Sequence, residues 1–177
     1  MIQKASNKEK RVIRLKTRFG VVSAEWVQGR LRAIHLGVFN PDPRFVIPVV
    51  MGAVEEAAEL VRDLIDYFSG EAVDFSLHLD TTGFTDFQRK VWLVTRNIPY
   101  GEVRTYKWVA QRVGCPKAAR AVGGALAKNP FPVLIPCHRV VGANGTLEGF
   151  NSGIEWKRAL LEFEGANLKG LGSESKG

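Results

Sequence analysis

Near Gly83 the hydrophobic period of this 177-residue chain changes, and that change constrains the fold more than any other feature. Before it, short β-rich runs are broken by turn signals: RVIRLKT, a turn at Phe19-Gly20, VVSAEW, a turn at Gln28-Gly29, then RLRAIHLG. Such a series reads as hairpins. VFNPDPRFVIP, with three prolines, reads as a linker or loop. From about Val49 to Ser69 the apolar residues Val50, Val54, Ala57, Val61, Leu64, Ile65 and Phe68 follow helical spacing, and Gly70 is placed to stop the helix. AVDFSLHL then alternates Val73, Phe75, Leu77 and Leu79 as a half-buried strand. Residues 1–83 are therefore expected to form an α/β lobe, with residues 1–10 as a loose arm.

After Gly83 the period is helical. Thr85 with Gln88 makes a capping-box pattern opening a helix through Phe87, Val91, Trp92 and Thr95, which Ile98-Pro99-Tyr100-Gly101 ends. Thr105 can cap a second helix carrying Tyr106, Val109, Ala110 and Val113, closed by Gly114. After Gly114-Cys115-Pro116 a third runs from Lys117 to about Lys128. Helix, tight turn and helix make a helix-turn-helix candidate, a pattern that plain helical cores also contain. The expectation is an α+β protein whose second, mainly helical domain spans 84–177 and ends in a flexible tail over 168–177.

Charge is unevenly spread. Thr85 to Val140 holds ten Lys/Arg against Asp86 and Glu102, a net +8, although the whole chain carries only +7. Confined cations favour a polyanion, because they displace counterions from phosphates; a solvated basic face is the alternative. No apolar run reaches membrane-spanning length, no signal peptide is expected behind MIQKASNKEKR, and two cysteines make no disulfide framework. A cytoplasmic protein with no membrane association is expected. Three scattered histidines and Cys115 and Cys137 show no zinc-ligand spacing, so neither metal nor cofactor is expected.

Two stretches carry the chemistry. KAARAVGGALAKN places adjacent glycines inside a helix at about 1 kcal/mol each relative to alanine, among alanines that present little bulk. A helix so thin suits close approach, either to a neighbouring helix or to a nucleic-acid groove. Arg120 is the one long side chain in the middle of it. IPCHRVV sets a thiol, an imidazole and a guanidinium in succession between apolar flanks. Adjacent Cys137 and His138 side chains diverge, so they act together only if a water bridges them and a carboxylate from elsewhere holds the ring. A structural cysteine beside a satisfied histidine is the other reading.

The run FQRKVW…IPYGEVRTYKWVAQRVGCPKAARAVGGALAKNP…IPCHRVVGANGTLEGF…KRALLEFEG closely resembles the O6-alkylguanine-DNA alkyltransferases, or methylated-DNA–protein-cysteine methyltransferases, from about Phe84 to Gly165. The first half is similar only in its order of elements, which looks like the ribonuclease-H-like lobe of that family. The resemblance implies repair of O6-alkylguanine, and of O4-alkylthymine, in double-stranded DNA by stoichiometric transfer to the protein's own cysteine. It implies a monomer that needs no cofactor.

Residue by residue, Cys137 matches the alkyl acceptor, His138 the residue that deprotonates it through a water, and Glu164 the carboxylate orienting that imidazole. Tyr106 matches the phenol that assists departure of guanine. Asn129 matches the asparagine bracing the loop before the cysteine. Arg120 matches the arginine that fills the gap left by a flipped nucleotide. In the family the recognition helix enters the minor groove, which assigns Thr105, Lys117, Ala119, Ala121 and Gly123 to the DNA face. The backbone of Cys137 and Val140, the loop Phe150-Asn151-Ser152 and Pro132 are implied as the base pocket. Phe150 stands where a tyrosine is often found, and Asn151 and Ser152 where serine or glycine occur. Two other classes differ in chemistry: lesion-sensing relatives lack the acceptor cysteine, and a cysteine hydrolase would turn over.

Overall fold

Three consecutive hairpin strands open the structure, a computed structural model that describes residues 10–45, 49–51 and 57–168. Nearly all of the expected arm, the end of the linker and most of the expected tail lie outside the described residues. Strands β1 (Lys10–Thr17), β2 (Gly20–Val27) and β3 (Arg30–Phe39) pair antiparallel, and β4 (Val49–Met51) adds to the free edge of β1, giving the order β3-β2-β1-β4. Gln28 and Gly29 both have positive φ (54° and 70°), which matches the twist that a two-residue hairpin needs. Alternation buries Ile13, Leu15, Val22, Ala24 and Trp26 on one face. In β3 a register shift opposite Glu25/Trp26 bulges Arg32 outward, so Leu31 and Ile34 both face inward despite their odd spacing. The displaced Arg32 guanidinium lies 3.0 Å from Asp80 Oδ2.

Two sequence expectations need correction. The helix expected from Val49 begins only at Ala58: α1 is Ala58–Ser69, and Val49–Met51 forms β4 instead. Val50 pairs with Leu15, so the free edge of β1 captures an apolar, β-branched stretch that helical periodicity alone had joined to α1. The expected strand over AVDFSLHL is extended, with Phe75 and Leu79 buried and Asp74, Ser76 and His78 exposed, but it joins no ladder. Its alternation reflects one-sided burial. The Arg96 guanidinium takes the Phe75 and Leu77 carbonyls in place of a neighbouring strand.

The second half follows its capping signals. Helix α2 (Asp86–Arg96) starts at Thr85, whose hydroxyl accepts from Gln88 N while the Gln88 side chain accepts from Thr85 N. The two-residue β5 (Arg104–Thr105) leads into α3 (Tyr106–Arg112), capped by the Thr105 hydroxyl. A turn through Gly114 leads to α4 (Ala119–Ala127), and α5 (Ile154–Phe163) closes the fold. β5 pairs in parallel with β6 (Val140–Val141), which fixes the start of α3 beside the segment after Cys137. Trp92 Nε1 donates to Ala125 O at 2.9 Å, tying α4 to α2. Buried residues from both sides of Gly83 form one continuous cluster. Ile34 N donates to Pro130 O (2.8 Å) and Trp156 Nε1 to Gly37 O (2.7 Å), so the sheet is fastened to the helical half beside the loop that carries Cys137.

Candidate active site and nucleic-acid face

From Phe131 to Gly142 every residue is buried, yet the segment holds no long helix or strand. Its backbone groups must therefore find local partners. Asn129 supplies several: its Oδ1 accepts from Phe131 N (2.9 Å), and its Nδ2 donates to Ile135 O (2.9 Å) and towards Cys137 Sγ (3.2 Å). Ile135 N donates to Phe131 O, Cys137 N to Ile135 O and Arg139 N to Pro136 O. Val133 sits at φ 76°, a conformation costing on the order of 1–3 kcal/mol in a β-branched residue. The surrounding bonds hold that strain four residues before the thiol.

Cys137, His138 and Arg139 form a single 3₁₀ turn, which sends their side chains in different directions. Cys137 faces a cavity of about 410 Å³, also lined by Tyr106, Asn129, Pro132, Phe150, Asn151 and Ser152, and by Ala33 to Leu36 of β3. His138 points inward, is fully buried, and its Nε2 lies 2.8 Å from Glu164 Oε1 at the end of α5. Arg139 binds the same carboxylate through Nε and Nη2, both at 2.9 Å, and its Nη1 donates to Ile98 O. Gly101 N approaches Glu164 Oε2 at 3.3 Å, and a Cβ on Gly101 would come within 2.9 Å of Glu164 O. Its φ of 75° adds to the requirement for glycine in IPYG.

The electrostatics follow from that geometry. Burial opposes ionisation of Glu164, but His138 and Arg139 outweigh it and hold the carboxyl well below the usual range. Burial lowers the His138 pKa in spite of Glu164. An ionised carboxylate only accepts, so His138 carries its proton on Nε2 and keeps a lone pair on Nδ1. That Nδ1 is buried and has no hydrogen-bond partner among the described protein atoms. Burial pushes the Cys137 thiol up, opposed by the Asn129 amide and by Lys157. Tyr106 is pushed up to about 12, first by burial and then by Glu148 and Cys137, so it stays a protonated donor.

Lys157 and Tyr67 are site residues that sequence reasoning missed. Lys157 is fully buried, and its Nζ donates to Val140 O (2.7 Å), Glu148 O (3.0 Å) and Tyr106 Oη (3.4 Å). Burial brings its pKa down to about 8. The signal was present: Trp156, Lys157, Leu160 and Leu161 share the buried face of α5. Val140, expected at the base pocket, is fully buried, does not line the cavity, and its carbonyl accepts from Lys157. Tyr67 donates to Glu164 Oε1 at 2.6 Å across 97 residues, a separation that no local pattern spans.

Outside the cavity mouth lies a second depression, about 650 Å³, lined by Tyr106, Ala119, Arg120, Gly123, Ala127, Glu148 and Phe150. Arg120, Lys117, Ala121, Lys107 and Lys128 are exposed around it or on the same helices. Thr105 uses its hydroxyl on the Trp108 amide. A Cβ on Gly123 would make ordinary contact with the Tyr106 ring at 3.8 Å, and one on Gly124 would meet nothing within 4 Å. Contact with a neighbouring helix therefore does not require the glycine pair. Not all ten cations of the basic segment face outward: Arg139 is buried on Glu164, Arg96 holds backbone carbonyls, and Arg89 and Arg104 pair with Asp86 and Glu102.

Fold and site together define a protein with one cavity-facing thiol, backed by a buried His–Glu pair, beside a basic helical surface. Residues 86–166 match the sequence family described as 6-O-methylguanine DNA methyltransferase, DNA binding domain. A methylated-DNA–protein-cysteine methyltransferase of Mycobacterium bovis is 47% identical over 126 residues, 71% of this chain and 69% of the relative. The crystal structure of a Mycobacterium tuberculosis O6-methylguanine methyltransferase superimposes with a TM-score of 0.72 at 37% identity, covering 89% of this chain and 93% of that one. Mycobacterium tuberculosis OGT in complex with DNA gives a TM-score of 0.70 at 38% identity, covering 86% and 91%. The chain belongs to the methylated-DNA–protein-cysteine methyltransferase family.

Proposed function

We propose that this protein reverses alkylation damage in DNA, moving the alkyl group from guanine O6 to Cys137 Sγ once per molecule. Family membership sets the enzyme class, methylated-DNA–protein-cysteine methyltransferase. The observation that carries the mechanism is Cys137 on the cavity beside a histidine whose Nε2 is held by Glu164 and whose Nδ1 has no hydrogen-bond partner among the described residues.

The Cys137 proton passes through one water to His138 Nδ1, and Glu164 stabilises the imidazolium that forms. The thiolate attacks the alkyl carbon; the carbon–oxygen bond breaks and its electron pair leaves with guanine. Tyr106 donates to the departing base, with the Lys157 ammonium beside its phenol oxygen. The resulting thioether is stable to water, so the protein is consumed. Asn129 supports both the loop and the sulfur, and Phe150, Asn151, Ser152 and Pro132 enclose the base. O4-alkylthymine presents the same carbon–oxygen bond and is a second substrate.

Reaching O6 requires the base to leave the duplex. The α3–turn–α4 unit acts as a helix-turn-helix that lays the small residues Ala119, Ala121 and Gly123 into the minor groove, while Arg120 fills the vacated stack. Lys117 contacts phosphate. The exposed, unfilled space over Gly124 supports close approach by something outside the protein. The protein works as a monomer in the cytoplasm, and its first half is a ribonuclease-H-like lobe. The test is repair of an O6-methylguanine duplex at one equivalent of protein. Cys115→Ala retains activity and Cys137→Ala abolishes it; an active Cys137→Ala protein would overturn the assignment.

A further inference from the structure

Glu164 accepts more hydrogen bonds than a histidine relay uses. Its Oε1 takes His138 Nε2 (2.8 Å), Arg139 Nη2 (2.9 Å) and the Tyr67 hydroxyl (2.6 Å). Tyr67 lies on α1, in the first half of the chain, and is fully buried. Its ring is wedged edge-on against Phe68, Tyr100 and Phe163, with centroids 5.0, 6.0 and 6.1 Å away. A buried hydroxyl needs a partner, but any carbonyl would serve. Here the partner is the very oxygen that orients His138.

Resting on the alkyl-transfer reading above, we propose that Tyr67 is a positioning residue for the reaction. By sharing Glu164 Oε1 with His138 it fixes the carboxylate and limits its pull on the Nε2 proton, so that His138 rests neutral with Nδ1 free to receive the Cys137 proton. The first half of the chain then supplies part of the reaction machinery, not only a scaffold. Without the phenol, Glu164 becomes a stronger acceptor and His138 a stronger base, already protonated over more of the pH range. The other charged or titratable groups facing the pair are Lys157 on α5, Tyr100 after α2, and Arg139 on the same turn as His138. Tyr67→Phe leaves all of them in place.

The experiment measures single-turnover transfer from O6-methylguanine duplex, and duplex affinity separately, for wild type, Tyr67→Phe, His138→Ala and the double variant across pH. Tyr67→Phe leaves affinity nearly unchanged, slows transfer about 10-fold at neutral pH, the loss of one hydrogen bond to a charged group, and moves the acid limb of the profile to higher pH. In the His138→Ala background the same change slows transfer no further, because Tyr67 acts through the histidine. Site-specific 3-fluorotyrosine at position 67 keeps the ring and donates more strongly, so it moves the acid limb to lower pH even if Tyr67→Phe fails to fold. Equal slowing in both backgrounds, or an acid limb that neither change moves, overturns the proposal. A wild-type protein that transfers nothing to Cys137 would instead overturn the reading on which it rests.

Discussion

Glu164→Gln changes one buried charge and almost no volume. In the wild-type protein the carboxylate meets Arg139 through two bonds of 2.9 Å, His138 at 2.8 Å and Tyr67 at 2.6 Å. An amide turns one acceptor into a donor and strands the Arg139 guanidinium, which is only 6% exposed. Removing one partner of such a pair costs about 3–5 kcal/mol, a large part of the roughly 5–15 kcal/mol that holds a domain folded. The sign with pH follows from the depressed carboxyl: its stabilisation is complete above the ordinary glutamate value of about 4.3 and is lost as pH falls through the folded value. Urea melts should therefore show a wide gap between wild type and Glu164→Gln at neutral pH that narrows on acidification. Losing the tautomer anchor should also slow transfer by about 10²–10⁴-fold, measured under conditions where the variant is folded. Duplex affinity should be nearly unchanged. A variant that melts with wild type at neutral pH and transfers at nearly the wild-type rate would rule out a buried Glu164–His138 relay.

Arg120→Ala should slow repair of duplex strongly, of single strands less, and of a free alkylated base hardly at all; an unchanged duplex-to-free-base ratio would make Arg120 a surface cation. Gly124→Ala should raise stability by up to about 1 kcal/mol, since its Cβ meets nothing within 4 Å, yet weaken duplex binding in a fluorescence titration. Lys157→Met should slow transfer about 10-fold by removing a cation beside Tyr106 and the thiolate. Because burial brings Lys157 down to about 8, its charge is lost as pH rises through that value, and the matching fall in wild-type rate should be absent from the variant.

Legibility in the sequence tracked the range of each interaction. The Thr85 and Thr105 caps, the Gln28-Gly29 turn and the amphipathic face of α1 are set within a few residues, and they stand where local chemistry placed them. The β4 segment and the extended run before Leu79 failed differently: periodicity reports which side is buried, not which backbone lies alongside. In the site, the geometry brings Cys137, His138, Glu164, Tyr106 and Asn129 to one cavity and its support, a grouping legible only through resemblance to a family. Lys157 was readable as a cation on an apolar stripe. Tyr67 was readable as core; its bond to Glu164 depends on a tertiary contact that no window of sequence contains.

In the proposed reaction Cys137 takes the alkyl group permanently. Intact-protein mass after incubation with a large excess of O6-methylguanine duplex, followed by peptide mapping, tests it most directly. The expected result is a mass gain of one methyl group per chain, carried on the Cys137 peptide, with one equivalent of guanine restored and no further repair. Unchanged protein mass with guanine restored, more than one equivalent repaired, or a methyl group on Cys115 would contradict it.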